Sequence, residues 1–351
     1  MNPLVQSRII EIGLSILDAM KKMDQEKVKL LLVFDSGQFR SILTIGDIQR
    51  AIIRGVDLSS PVGDILSGNK VYAYTSDSAD DIRRKMRGLR AECMPVLDGK
   101  GELVDVLFWN DVFGKDQKPE KPGLDLPVVI MAGGKGTRLK PLTNVIPKPL
   151  VPIGDRTILE EIMERFVNAG CSKFYLMVNY KSDMIRFFLR QLDGRYDISV
   201  LQEDEPLGTI GSVALLKGKL DKPFFVSNCD ILIDQDFRDV YAYHRENRND
   251  ITVITALQSI RIPYGVIETG HDGLMTALKE KPEHSYQINT GVYLLNPSLI
   301  DEIPEGTFFH ITDLMDKVRA RGGRVGCFPV SGNAWKDMGQ WHEYLKMLDV
   351  L

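Results

Sequence analysis

The sequence predicts an α/β protein in two parts: a mainly parallel sheet covered on both faces, preceded by a smaller module of two βαββα repeats. Three observations point there. After residue 126, apolar strand-like runs alternate with amphipathic helix-like stretches; the first 114 residues match themselves at a fixed offset; and a stretch of charge, Pro and Gly lies between. At 351 residues the chain is too long for one average domain and long enough for two proper cores.

The repeat comes first along the chain. FDSGQFRSILTIGDIQRAI, from Phe34 to Ile52, matches LDGKGELVDVLFWNDVFG, from Leu97 to Gly114, in pattern. Each copy has an apolar strand ending at an Asp-containing turn, a second strand, and an Asp that opens a helix. Asp47 and Asp111 are equivalent, so the period is 111 − 47 = 64 residues, suited to one βαββα unit. So small a unit cannot easily cover its own sheet, and the two copies are expected to pack on each other. With PVGDIL at Pro61 to Leu66 between the copies, this part resembles a tandem pair of CBS domains, a Bateman module. The resemblance implies that Thr44 and Asp47 contact the ribose or phosphates of an adenine nucleotide. The second copy has Asp111, but Trp109 and Asn110 stand where a small hydroxyl residue is usual. Both Asp residues would equally serve as helix N-caps. Such pairs also join copies of a chain, so a homo-oligomer is expected.

Gly114 to Leu126, GKDQKPEKPGLDL, has no hydrophobic periodicity to pack. It divides the chain into 1–114, a linker at 115–126, and 127–351. In the last part the strand PVVIMAG is followed by a helix at Thr157 to Ala169, the strand KFYLMVN, the helix SDMIRFFLRQL and the strand DISVLQ. A helix from Gly208 to Leu216 and the strand PFFVSNCDI come next. This alternation predicts βαβ units in a parallel sheet, which binds ligands at the carboxyl ends of its strands.

Composition narrows the function. A net charge of −4 gives no field to gather nucleic acid or anionic lipid. No N-terminal apolar run precedes a cleavage site and none reaches membrane length, which predicts a soluble, cytoplasmic protein. Cys93, Cys171, Cys229 and Cys327 lie far apart in apolar stretches, without metal-ligand spacing, and read as reduced core thiols.

The segment VVIMAGGKGTRLKPLT, from Val128 to Thr143, is a buried strand running into a glycine-rich turn. Ala132, Gly133, Gly134, Gly136 and Thr137 can bring bare N–H groups to phosphate oxygens, with Lys135 and Arg138 adding charge. The order Gly-Lys-Gly-Thr-Arg excludes a P-loop. Pro141, Pro147, Pro149 and Pro152 exclude the helix that a dinucleotide-binding loop would open. The whole string AGGKGTRLKPLTNVIPKPLVPIG is similar to the signature of the sugar-1-phosphate nucleotidyltransferases. Those enzymes have a Rossmann-like, GT-A-like fold and join a nucleoside monophosphate from an NTP to a sugar 1-phosphate, releasing pyrophosphate.

The resemblance implies roles for particular residues. Arg138 grips the leaving pyrophosphate, and Lys148, between Pro147 and Pro149, contacts the nucleotide phosphates. Asp230 after the strand FFVSN, and Asp337 in the late W-x-D-x-G pattern, hold Mg²⁺, although Cys229 replaces the Gly usual before the first Asp. Two anionic substrates repel, and Mg²⁺ takes one or two carboxylates with phosphate oxygens and water. LGTIGSV supplies Gly208 and Thr209 to the sugar and base loop. In KEKP, Lys281 neutralises the sugar phosphate and Glu280 accepts from sugar hydroxyls; Asn289 and Thr290 of INTGVYLLN lie at the pocket rim. No activated Ser, Cys or His is present or needed, which predicts direct in-line attack.

The base is read from Glu203, five positions before Gly208, where users of uridine or thymidine nucleotides usually have Gln. A carboxylate accepts from guanine N1–H and N2–H, which favours GTP; a shift of one residue to Gln202 would restore a pyrimidine reader. The wording EDEPLGT resembles mannose- and heptose-1-phosphate guanylyltransferases. A CBS pair ahead of this domain resembles bacterial guanylyltransferases of nonulosonic (legionaminic type) pathways that make GDP-glucosamine. Rival readings are a UTP, dTTP or CTP user, a catalytically silent nucleotide sensor, and a glycosyltransferase, which would more typically show a DxD motif.

Overall fold

The computed structural model describes residues 3–68, 70–89, 91, 93–113, 123–192 and 194–348. The chain divides into two compact units, Met1–Lys121 and Pro122–Leu351. Residues 114–122 of the span read as a linker lie outside the described residues. Gly123–Leu126 of that span are held by the second unit: the Leu124 and Asp125 amides donate to the carbonyls of Ala169 and Gly170 at 3.0 and 3.1 Å.

The first unit contains the same order of elements twice. One copy is β1 (Ile9–Glu11), α1 (Ile16–Gln25), β2 (Leu30–Asp35), β3 (Gln38–Thr44) and α2 (Ile45–Ile53); the other is β4 (Ala73–Tyr74), α3 (Ala79–Leu89), β5 (Cys93–Leu97), β6 (Leu103–Phe108) and α4 (Trp109–Phe113). In each, the first strand runs parallel to the second and the second antiparallel to the third. Neither three-stranded sheet covers its own apolar face. They share one core, in which Leu32 and Ile42 meet Cys93 and Val106.

The two equivalent Asp residues differ in surroundings. Thr44 caps α2, its hydroxyl accepting from the Asp47 amide, while the Asp47 carboxylate accepts from the Thr44 amide at 2.8 Å. Asp47 is buried and also pairs with Lys70 at 2.6 Å and Arg50 at 2.5 Å. Burial raises its pKa, but the hydrogen bonds from Lys70 and Thr44 outweigh that and leave it below 3.8. Asp111 lies in the short α4 and is exposed.

The second unit is built on a seven-stranded sheet. Its elements begin with β7 (Val128–Ala132), α5 (Ile158–Val167), β8 (Lys173–Val178), α6 (Ser182–Gln191) and β9 (Asp197–Gln202). Then come β10 (Phe224–Asn228), β11 (Ile231–Ile233), α7 (Phe237–Glu246), β12 (Ile251–Arg261), β13 (Val266–Thr269) and β14 (Met275–Lys279). The last are β15 (Glu283–Leu295), α8 (Ile311–Ala320), β16 (Val325–Val330), β17 (Trp335–Asp337) and α9 (Trp341–Leu348). The sheet order is β9-β8-β7-β10-β15-β12-β16. Only the two pairings of β15, with β10 and β12, are antiparallel.

All five residues of β7 are buried, and their alternation divides them between two cores. Val128, Ile130 and Ala132 face Phe166 of α5 and Phe237 of α7, whereas Val129 and Met131 face Leu314 and Val318 of α8. The Phe166 and Phe237 rings stack with centroids 4.1 Å apart. The expected helix at Thr157 to Ala169 is Ile158–Val167, capped by Thr157 in a capping box with Glu160. The expected helix from Gly208 to Leu216 is instead a 3-10 segment at Gly211–Leu216. Its start is held by contact: a Cβ at Gly208, where φ is +83°, would meet the Phe309 carbonyl oxygen at 2.6 Å. Cys93, Cys171 and Cys229 are buried, but Cys327 sits on the edge strand β16 and is exposed, so three rather than four are core thiols. Among the described residues no helix is long and apolar enough to cross a membrane.

Two measurements test this account. Phe166→Ala removes a fully buried ring and is expected to cost about 3–5 kcal/mol in urea unfolding. Asp47→Asn is expected to cost about 2–3 kcal/mol at neutral pH, because the paired charge is buried. The Asp47 stabilisation is complete above its ordinary value of 3.8 and is lost as pH falls through the lower folded value. The gap between wild type and the Asn variant should therefore close only in acid.

Candidate active site

The sheet delivers its chemistry at the carboxyl end of β7. Gly133 to Gly136 leave the strand there, and Gly136 adopts φ +63°. A side chain at Gly136 would meet Thr143 Cγ2 at 2.9 Å and Lys148 Cβ at 3.0 Å, so only glycine lets the loop close on itself. The Thr143 hydroxyl donates to the Gly136 carbonyl at 2.8 Å. From the end of β8, Lys181 donates to the carbonyls of Asn144 at 2.5 Å and Val145 at 2.8 Å. Trp341 Nε1 donates to the Lys140 carbonyl at 3.1 Å.

The two expected metal-binding acids are brought together by a short ladder. β11 pairs antiparallel with β17, Ile231 opposite Asp337, and the Met338 amide donates to the Asp230 carbonyl at 2.8 Å. Residues 337 − 230 = 107 positions apart thus end side by side, and both carboxylates are buried. Lys148 opens a 3-10 turn at Lys148–Leu150, is itself largely buried, and donates its ammonium to Asp230 Oδ2. Arg138 donates to Asp337 Oδ2 at 3.1 Å and Asp230 Oδ2 at 3.4 Å. Two cations therefore neutralise two carboxylates at one point.

The two acids are not equivalent. Burial pushes the Asp230 pKa up, with Lys148 opposing and Asp337 adding to the rise. Burial also raises that of Asp337, but the bonds from Gln340, the Gly339 amide and Arg138 prevail and leave it lowered. The Gly339 amide donates to Asp337 Oδ1 and Gln340 Nε2 to Oδ2, each at 2.9 Å. Burial pushes the Cys229 thiol up to about 12, which keeps it protonated and without nucleophilic use.

Two neighbouring carboxylates are a donor set for a hard cation such as Mg²⁺, which takes its other ligands from phosphates and water. The described residues contain no group of three or more His, Cys, Asp or Glu that could hold a metal by themselves.

Glu203 is buried and faces the glycine-rich loop: a Cβ at Gly133 would lie 3.1 Å from its Oε2. Burial raises its pKa, with Ser212 and the Leu207 amide opposing. Gln202, one residue earlier on the pleat, is exposed.

The sugar-side residues are less gathered. Glu280 and Lys281 lie exposed in the turn between β14 and β15, with Lys281 at φ +46°. Asn289 is exposed, and its Oδ1 accepts from the Gly291 amide at 3.0 Å. Thr290 is not at the rim as expected. The strand alternation turns it inward, and its hydroxyl donates to the Ile254 carbonyl at 2.7 Å. The Thr209 hydroxyl, expected to be free for a ligand, accepts from the Ile311 amide at 2.9 Å and so caps α8. Gly208 makes its close approach to Phe309 of its own chain.

Sequence reasoning missed three residues here. A Cβ at Gly339 would fall among Asp230 Oδ2, Lys148 Nζ at 2.7 Å and Arg138 at 2.9 Å, so this glycine keeps the centre of the site open. Its signal was the last letter of the W-x-D-x-G pattern. Lys181 had none, because its contacts reach back to Asn144 and Val145; Gln340, three residues after Asp337, lies outside the W-x-D-x-G pattern.

Known proteins are similar to the second unit. Mannose-1-phosphate guanyltransferase of Pichia angusta is 35% identical over 228 residues, covering 62% of this chain and 62% of that protein. Mannose-1-phosphate guanylyltransferase catalytic subunit beta of Drosophila pseudoobscura pseudoobscura is 36% identical over 224 residues, covering 62% and 60%. The chain thus spans under two thirds of the length of these relatives. The structure of HddC from Yersinia pseudotuberculosis complexed with GMP-PN is similar at a TM-score of 0.51 and 26% identity, covering 64% of this chain and 99% of that one. Residues 127–350 match the nucleotidyl transferase family, and the chain belongs to that family.

Proposed function

We propose that this chain transfers GMP from GTP to a sugar 1-phosphate and releases pyrophosphate. The observation that carries the reading is the cluster of Arg138, Lys148, Asp230 and Asp337 around the open centre at Gly339, beside the phosphate loop. A phosphate oxygen of the sugar 1-phosphate attacks the α-phosphorus in line, a new P–O bond forms, and the bond to the β-phosphate oxygen breaks as pyrophosphate leaves. The attacking oxygen is already anionic, so the protein positions and neutralises rather than moving a proton.

Lys148 and Lys281 would hold the two reacting phosphates, and Arg138 the departing pyrophosphate. To do so Arg138 and Lys148 turn from the carboxylates to the phosphates. Asp230 and Asp337 would hold Mg²⁺, which when bound supplies positive charge to the phosphate oxygens. Asp337, kept ionised by Gln340 and the Gly339 amide, is the readier ligand.

GTP is favoured by Glu203. It is a buried carboxylate, met by Ser212 and the Leu207 amide but with no ion pair among the described residues, and guanine N1–H and N2–H would add a pair of donors. The names of the guanyltransferase relatives and the GMP-PN complex of HddC support the same base. Mannose, heptose and glucosamine 1-phosphates are the acceptors to test first.

The first unit is read as a tandem CBS module in which an adenine nucleotide at Thr44 and Asp47 displaces Lys70. Asp111, exposed in the shorter helix, makes the weaker half of such a site.

A pyrophosphate-release screen of the four NTPs against sugar 1-phosphates, repeated with AMP and ATP, tests the whole reading. GTP should be turned over, and Asp230→Asn and Asp337→Asn should each slow release at least about 100-fold; release at the wild-type rate would exclude the assignment of these acids. Turnover of UTP or dTTP with none of GTP would overturn the role of Glu203. Gly339→Ala, which fills the centre of the site, should abolish turnover, with circular dichroism checking that the variant is folded.

A further inference from the structure

The loop that leaves β7 has little packing of its own. Between Ala132 and Ile146 only Leu139 and Thr143 are buried, and the segment contains one 3-10 turn at Thr137–Leu139 and one helical turn at Leu142–Val145. Ordering so many exposed residues costs conformational entropy that their own contacts do little to offset. Yet this loop carries Gly133, Gly134, Gly136 and Arg138, and it must hold one shape to present them together.

Tyr180 and Lys181, between β8 and α6, close it. The Tyr180 amide donates to the Gly133 carbonyl at 3.4 Å, at the start of the loop, and the Tyr180 hydroxyl donates to the Thr143 carbonyl at 3.4 Å, near its end. The Lys181 ammonium takes the next two carbonyls, Asn144 at 2.5 Å and Val145 at 2.8 Å. Within the helical turn only the Leu142 carbonyl has a backbone partner, the Ile146 amide at 3.1 Å. The other three are the orphan acceptors of a helix end, where a cation is also favoured, and this pair of residues satisfies all of them.

Lysine does not suit the backbone it stands on. Lys181 is the N-cap of α6 with φ +52° and ψ +36°, and its side chain makes no capping bond. N-caps favour Ser, Thr, Asp or Asn, and the left-handed region favours Gly or Asn, so Asn would meet both demands. A residue that contradicts both local preferences while bonding to a distant loop marks a place where function overrides stability.

We infer that Lys181 is a positioning residue which, with Tyr180, sets the glycine-rich loop in its nucleotide-binding form before the nucleotide arrives. The free enzyme then bears the ordering cost, and binding does not. The inference rests on the proposed reading that this loop holds NTP phosphates, but not on which base is used. Lys181 acts through the loop and need not touch either substrate.

Lys181→Asn separates this role from a merely structural one. Asn suits the backbone better, so the melting point should stay level or rise, while KM for GTP should rise about tenfold. A loss incurred at nucleotide binding is shared by the bound complex and the transition state, so kcat and the KM for the sugar 1-phosphate should change less than about twofold. Lys181→Arg keeps donors for both carbonyls and should bring KM for GTP back to within about threefold of wild type. Calorimetric titration of GTP with Mg²⁺, without sugar phosphate, should show the same loss of affinity in Lys181→Asn. If another NTP is the one turned over, the same measurements made with it test the inference, so failure of the GTP assignment is told apart from failure of this one. An unchanged KM in Lys181→Asn would overturn the inference, as would a rise in KM that comes with a lower melting point and is not corrected by Arg.

Discussion

The site depends on one short ladder. β11 and β17 contribute three residues each, yet their register sets Ile231 opposite Asp337 and carries Asp230 to the same point. Two carboxylates taken out of water side by side repel, and each would be driven to protonate without compensation. Lys148 and Arg138 provide that compensation, and both come from the loop that leaves β7. The phosphate loop and the acidic ladder therefore stabilise each other.

That mutual dependence explains the bracing found around it. Trp341 ties the segment after β17 to Lys140, the Tyr344 hydroxyl donates to the Pro152 carbonyl at 3.0 Å, and Trp335 Nε1 donates to the Thr290 carbonyl at 3.2 Å. One stretch near the carboxyl end thus bonds to the phosphate loop, to the segment that follows it, and to β15. Displacing Arg138 and Lys148 onto incoming phosphates leaves these neutral bonds in place. On the proposed mechanism the cations can change partner while the backbone frame stays fixed, which is the condition for electrostatic preorganisation.

Much of the second unit was legible in the sequence. β7 to β9 and their helices announce themselves through apolar runs and 3.6-residue periodicity, and the glycine-rich string is local enough to read directly. The repeat in the first 114 residues was equally open, because pattern repeats survive without contacts. What the sequence could not show is how polar side chains spend their bonds. Thr209 and Thr290 looked like ligand hydroxyls, but the first closes the start of α8 and the second a carbonyl of β12. Nothing in a linear string distinguishes a free hydroxyl from one bonded to a backbone group many residues away. Gly208 is ambiguous for the same reason, since closeness to one's own chain and closeness to a ligand demand the same residue.

The choice between Gln202 and Glu203 shows how the fold decides what residue type alone leaves open. Successive strand residues point to opposite sides, so only one of the pair can face the phosphate loop, and the pleat of β9 and the turn after it assign that place to Glu203. An acceptor-only carboxylate there, met by a hydroxyl and an amide but by no cation, is costly to bury. A ligand that brings two N–H donors in one plane relieves that cost, whereas one that offers acceptors deepens it. Selectivity for guanine would then come less from attraction than from the penalty that other bases leave unrelieved.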